Sequence, residues 1–148
     1  MADLTPASRS ASKSESVQYG GACLALSDGP VEVLTLTGEV DAAEAEELAA
    51  VVQPVVTRRG PGILDLSGVA FLSVAGFRAL RAWSYQARET GANWVMLAGP
   101  AVQPYLQTVR PDELMPVASN EKQALDMLSV RSRNNRQMSI VDAGRTVC

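Results

Sequence analysis

The middle of the chain alternates between short apolar runs and longer segments in which apolar residues recur every three or four positions. Apolar runs at about 17–26 and 31–37 flank the turn signal Ser27-Asp28-Gly29-Pro30, which predicts a β-hairpin. Shorter runs at 63–66, at 94–97 and around Val117 predict further strands. Together these runs predict a sheet of about five strands.

Apolar residues at helical spacing between these runs predict about four helices. The first covers about 42–58, begins after Asp41 as its N-cap, and carries Pro54 in its last turn. The others are predicted at about 75–89, at 101–109 and after Ser119, which is expected to cap the closing helix. Strands joined by helical crossovers lie parallel, so the sequence predicts an α/β fold with a mixed, mostly parallel sheet.

The two ends of the chain differ from the middle in composition and are predicted to be flexible. Residues 1–15 are rich in Ser, Ala and Thr, and residues 130–148 carry four Arg against one Asp. A single domain is therefore expected at 16–129, with a formal charge of −6 against −3 for the whole chain. An acidic domain lacks the basic field that polyanions need, which argues against nucleic acid as a partner.

The chain has no histidine, so it lacks the commonest general base and metal ligand. No pair of carboxylates stands at a useful spacing, and Asp65 is interpreted as a strand-end residue that bonds its own loop amides. Gly20-Gly21 is interpreted as a turn or bulge rather than a phosphate-binding loop. We therefore expect no enzymatic activity, no cofactor and no metal site.

The sequence also predicts a cytoplasmic protein. No apolar run approaches the roughly 20 residues that a membrane span needs, and the first fifteen residues contain no signal-peptide core. Cys23 and Cys148 are far apart and form no ligand cluster, and Cys23 is interpreted as a small core residue. Neither a membrane nor export is expected.

Two blocks at predicted strand ends resemble a known family. The first is Gly38-Glu39-Val40-Asp41, and the second is Leu64-Asp65-Leu66-Ser67-Gly68-Val69-Ala70-Phe71-Leu72 followed by Ser73-Val74-Ala75-Gly76. In order and spacing, over about 16–129, the chain resembles the STAS domain of anti-sigma-factor antagonists. The resemblance implies that the domain binds a cytoplasmic anti-sigma factor, usually a serine kinase that uses ATP, and so frees a sigma factor for transcription.

The same resemblance draws attention to position 74. In the family, the first serine of an Asp-Ser-Ser-Gly motif at the start of the second helix accepts phosphate. Here that position is Val74, with Ser73 and Ala75 on either side and only Gly76 retained. A side chain without a hydroxyl cannot accept phosphate, so the usual off-switch is predicted to be absent. Three interpretations stay open: a constitutive antagonist, a switch moved to Ser73 or Ser67, or a scaffold module with a non-sigma partner.

The second predicted helix adds a possible contact surface beside this motif. Its core face is predicted to be Phe77, Leu80, Ser84 and Ala87, and a parallel row displaced by one residue holds Arg78, Arg81, Tyr85 and Arg88. The predicted partner-binding residues are Asp41, Ser73, Val74, Ala75, Gly76, Arg78 and Arg81. The alternative is a small-ligand or nucleotide sensor that binds anions at the helix start. A homodimer, and a role for Cys148 and the Arg-rich tail, are left open.

Overall fold

The computed structural model describes residues 14–58 and 60–129 of the 148-residue chain. The predicted tail at 130–148, with Cys148, and most of the predicted N-terminal segment lie outside the described residues. Six strands form one sheet: β1 Ser14–Tyr19, β2 Ala22–Ser27, β3 Glu32–Val40, β4 Gly62–Leu72, β5 Trp94–Leu97 and β6 Val117–Ala118.

The helices follow the predicted order. They are α1 Ala42–Val56, α2 Val74–Glu89, the one-turn α3 Gln103–Leu106 and the closing helix α4 at 121–129, with a 3-10 turn at Pro111–Glu113 before β6. The short helix predicted at 101–109 is thus a single turn. The predicted α/β class is confirmed.

The strands lie in the order β1-β2-β3-β4-β5-β6. β2 pairs antiparallel with both β1 and β3, and β3 to β6 are parallel, so the mixed, mostly parallel sheet is confirmed. The apolar run predicted as one strand at 17–26 is two strands, because Gly20-Gly21 turns the chain and Gly20 has a φ of +55°. This turn supplies the sixth strand.

β4 is longer than the strand predicted at 63–66. Its pairing with β5 ends at Asp65, but its pairing with β3 continues to Leu72 through two register shifts. At the first shift, Asp65 Oδ1 accepts hydrogen bonds from Ser67 N at 3.0 Å and from Ser67 Oγ at 2.6 Å. Asp65 therefore bonds its own neighbours, as predicted, although it lies within a bulged strand rather than before a loop.

The sheet separates two apolar cores. On one face, α1 and α2 cover the sheet, and the buried members of this core include Leu36, Leu48, Leu64, Leu80 and Trp83. On the other face, α4 places Ala124 and Leu128 against Ile63, Val95 and Leu97. Alternate residues of β4 and β5 point to opposite faces, which explains why the consecutive residues Ile63 and Leu64 of β4 and all four residues of β5 are buried and apolar.

Two local predictions are corrected by the structure. The N-cap of α4 is Asn120, whose Oδ1 accepts from Gln123 N at 2.8 Å, whereas Ser119 only donates its backbone N–H to the Gln123 side chain. Cys23 is half-buried rather than a core residue, because its neighbours Ala22 and Leu24 take the core-facing positions of β2.

Candidate functional site

The two sequence blocks meet at one edge of the sheet. β3 and β4 are parallel neighbours, so their carboxyl ends lie side by side, and each leads directly into a helix. α1 begins after Asp41 and α2 begins after Ser73. Ser73 N donates to Val40 O at 2.9 Å and fastens the start of α2 to the end of β3. The edge therefore presents two helix N-termini together, with the positive end of each backbone dipole.

Gly76 allows the start of α2 to approach β3 this closely. A Cβ at this position would lie 2.8 Å from Leu72 Cδ1 and 3.0 Å from Val40 O. Gly76 is buried, so the residue predicted to contact a partner lies beneath the surface and positions its neighbours instead.

Asp41 belongs to a capping box. Its Oδ1 accepts from Ala42 N at 2.8 Å, and Glu44 Oε1 accepts from Asp41 N at 3.0 Å. Glu44 Oε2 also accepts from Gly21 N at 3.3 Å, in the β1–β2 turn. The hydrogen bond from the Asp41 N–H, and then that from Gly21, lowers the pKa of Glu44 because both favour the carboxylate. The predicted cap is confirmed, and Asp41 remains exposed at the edge.

Ser73 is the N-cap of α2. Its Oγ accepts from Gly76 N at 3.0 Å, which satisfies one of the free amides of the first turn. The Ser67 hydroxyl donates to Asp65 as described above. The two serines considered as substitute phosphate acceptors therefore both hold local hydrogen bonds through the oxygen that would carry the phosphate.

The edge exposes two large apolar side chains. Val74 is 57% exposed and Phe71 is 50% exposed. Between them, Leu72 points into the core and Ser73 is half-buried. Phe71 was not among the predicted contact residues. Alternation along the strand would place Phe71 on the same side as the buried Val69, but a register shift between these two residues turns Phe71 outward.

The predicted faces of α2 are confirmed. Phe77, Leu80, Ser84 and Ala87 are buried, and the row of Arg78, Arg81, Tyr85 and Arg88 is exposed. Arg81 Nη2 lies 2.6 Å from Glu113 Oε1 in the 3-10 turn. A groove of about 540 Å³ runs between this part of α2 and the turn. Glu113 was missed as a partner of Arg81 because the two residues are 32 positions apart.

α3 supports the same edge from behind. The rings of Phe77 and Tyr105 stack with centroids 4.6 Å apart and planes inclined by 15°. The Tyr105 hydroxyl donates to Leu72 O at 2.8 Å. These contacts hold the junction between β4 and α2 through an aromatic pair and a hydrogen bond.

Residues 14–58 and 60–129 contain neither a cluster of metal ligands nor a helix able to cross a membrane. No group of three or more Cys, Asp or Glu side chains in these ranges could hold a metal ion. No helix in them combines the length and the apolar character that crossing a membrane requires.

Comparison with known proteins places this arrangement in a family. The family model described as "Mlab, STAS domain" matches residues 25–115. Osmosensory protein A of Mycobacterium tuberculosis is 31% identical over 127 residues, which cover 82% of this chain and 80% of that protein. The chain therefore belongs to the STAS domain family, as its sequence blocks predicted.

A solved structure shares the fold. The crystal structure of an anti-sigma factor antagonist from Mycobacterium paratuberculosis superimposes with a TM-score of 0.57 at 23% identity. The match covers 80% of this chain and 94% of that one. The STAS architecture thus extends over nearly the whole of the related domain.

Proposed function

We propose that this protein is a non-enzymatic, cytoplasmic anti-sigma-factor antagonist that binds an anti-sigma factor of the serine kinase type and releases a sigma factor for transcription. The contact surface is the sheet edge with Asp41, Ser73, Val74 and Ala75, continued by the exposed row of α2. Membership of the STAS family and the meeting of both sequence blocks at this edge support the proposal.

The observation that carries the proposal furthest is the position of Val74. It is the first residue of α2, 57% exposed, where the resemblance places the phosphate-accepting serine. Phosphorylation there would bring about −1.5 to −2 charges onto the contact surface. A valine cannot be phosphorylated, so binding is not switched off by phosphorylation at this position. Relocation of the switch to Ser73 or Ser67 is less favoured because both hydroxyls already make local hydrogen bonds.

The test uses the serine-kinase anti-sigma factors of the source organism, purified and incubated with the full chain and ATP. We expect a stable complex and no phosphate on Ser67 or Ser73 by mass spectrometry. Val74→Ser restores the hydroxyl, so this variant is expected to be phosphorylated and released. Ala75→Ser is the matched control, with a hydroxyl one residue further along α2.

Two results would contradict the proposal in different ways. Stoichiometric phosphate on wild-type Ser73 would place the switch one residue earlier and end the constitutive interpretation. Failure of every such kinase to bind would favour a scaffold with a non-sigma partner.

The anion-sensor alternative has weaker support, because the Ser73 hydroxyl already occupies an amide of the α2 start. A thermal shift with GTP, ATP or phosphate would revive it.

A further inference from the structure

The exposed row of α2 has an apolar end and a basic body. From Val74 the row continues through Arg78, Arg81, Tyr85 and Arg88, at steps of four, three, four and three residues along one helix face. This stripe is about 21 Å long at the helical rise of about 1.5 Å per residue. Phe71 extends its apolar end onto the edge of β4. The surface is therefore long enough to receive several turns of a partner helix.

The arginines of the stripe are not equivalent. Arg81 is held by Glu113 at 2.6 Å, and that pair fixes the wall of the groove. Arg78 and Arg88 form no ion pair with any residue in 14–58 or 60–129. Glu89, Asp112 and Glu113 line the same groove as the three arginines, so the groove is balanced in formal charge. Arg78 is exposed, pairs with none of these carboxylates and lies one helical turn after Val74.

The arginines of this stripe lie on a domain that is acidic overall. Residues 16–129 carry a formal charge of −6, and three of their seven basic residues lie on this one stripe. Among the described basic residues outside α2, Arg58 and Arg110 are paired with carboxylates, and Lys122 lies on α4, which covers the opposite face of the sheet. A carboxylate of a partner would therefore meet unpaired guanidinium groups at Arg78 and Arg88.

From these observations we infer that the partner presents an acidic amphipathic segment to α2, with an apolar side chain against Phe71 and Val74 and a carboxylate paired with Arg78. The inference rests on the proposed function and adds the chemistry of the partner surface. Burial of the side chains of Phe71 and Val74 contributes to affinity. The planar guanidinium of Arg78 fixes the position of the partner along α2, since it pairs with a carboxylate in a fixed orientation.

The test measures the dissociation constant of the full chain with each purified serine-kinase anti-sigma factor of the source organism. We expect Arg78→Glu to weaken binding by about tenfold or more, because it sets like charges opposite each other. Lys122→Glu is the matched control, with the same charge change on the opposite face, and its dissociation constant should stay within about twofold of wild type. A Glu→Arg change in the partner is expected to recover binding to Arg78→Glu.

A second pair of variants tests the apolar end. Val74→Asp is expected to weaken binding by about tenfold, and Leu125→Asp, at an apolar residue of α4 that is 40% exposed, should leave it unchanged. Both positions are exposed, so thermal unfolding should show each variant folded. If wild type binds a kinase and neither Arg78→Glu nor Val74→Asp changes the dissociation constant, the inference is overturned while the proposed function stands. If wild type binds none of the kinases, the proposed function is wrong and the inference falls with it.

Discussion

Glu44 joins two pieces of backbone that lie about twenty residues apart in the sequence. Its two carboxylate oxygens accept from the N–H groups of Asp41 and Gly21, so one side chain links the start of α1 to the β1–β2 turn. Gly20 leaves the room for this contact, since a Cβ there would lie 2.5 Å from Glu44 Oε2. The carboxylate form is the one that these hydrogen bonds require.

The lowered pKa of Glu44 predicts a pH-dependent contribution to stability. A carboxyl whose pKa is lower in the folded chain stabilises it above the unfolded value of about 4.3, and this contribution is lost as the pH falls through the folded value. Glu44→Gln should therefore unfold at lower urea concentration than wild type at pH 7, with a difference that shrinks as the pH falls below the unfolded value. Glu47→Gln, on the exposed face of α1, serves as the control. A difference that stays constant from neutral to acid pH would contradict this account.

Gly38 opens the first sequence block for a conformational reason. Its φ is +89°, and an added Cβ would collide with Gly21 O, the atom that accepts from Glu39 N at 2.9 Å. Gly38→Ala should lower the free energy of unfolding by about 1–3 kcal/mol, measured by urea denaturation. Gly29→Ala is the control, because its Cβ would meet only Val31 O at 3.8 Å, and we expect a change of no more than about 1 kcal/mol. If Gly38→Ala and Gly29→Ala lowered the free energy of unfolding equally, the positive φ would not be the reason for glycine at position 38.

At the scale of elements, the start of α2 is stabilised by the N-cap Ser73. Phosphorylation of Ser73 would modify the oxygen that accepts the capping hydrogen bond from Gly76 N. Ser73→Ala removes the acceptor for Gly76 N and should cost about 1 kcal/mol in urea denaturation. Ser73→Asp keeps a good capping oxygen and should remain within about 0.5 kcal/mol of wild type. If the two variants were equally destabilised, the cap would not be the source of the effect.

The regular elements were predictable where their pattern is local. The helical spacing in α1 and α2 and the short apolar runs of β5 and β6 need no distant partner to be recognised. Gly20-Gly21 was interpreted as a turn or a bulge, and the structure shows the turn, but the strands on either side were counted as one run because apolar residues continue on both sides. The extension of β4 to Leu72 depends on bulged pairing with β3, which is a tertiary contact. Ser119 and Asn120 are neighbours, and both are residue types that commonly cap helices. The prediction chose Ser119, whereas Asn120 is the N-cap.

The candidate site divides in the same way. The sequence predicted the two blocks, the cap at Asp41 and the faces of α2. Each of these features depends only on residues that are close together in the sequence. The burial of Gly76 against Val40 and the pairing of Arg81 with Glu113 were not predicted, since each joins residues from separate elements. The exposure of Phe71 was also not predictable, because it depends on a register shift between β4 and β3 after Val69.

At the scale of the molecule, stability depends on a sheet that is covered on both faces. Ala124 is fully buried between α4 and the sheet. Ala124→Asp should cost about 3 kcal/mol or more, because it buries a carboxylate among Ile63, Val95 and Leu97. Leu125→Asp, one residue along α4 and 40% exposed, should change the free energy of unfolding by less than about 1 kcal/mol. The free energy of unfolding of each variant is measured by urea denaturation. A small change for Ala124→Asp would show that the packing of α4 contributes little to stability.

Arg78 and Arg88, which form no ion pair within residues 14–58 and 60–129, also bear on the speed of recognition. A charged molecule that approaches through solution is turned by such an uneven field before any atoms touch, so more of its encounters begin in a productive orientation. Salt weakens this guidance, since charges are screened over about 10 Å at 0.1 M ionic strength. In the proposed complex, the lifetime would depend mainly on burial of the side chains of Phe71 and Val74. Ionic strength would then change the association rate of the proposed complex more than its dissociation rate.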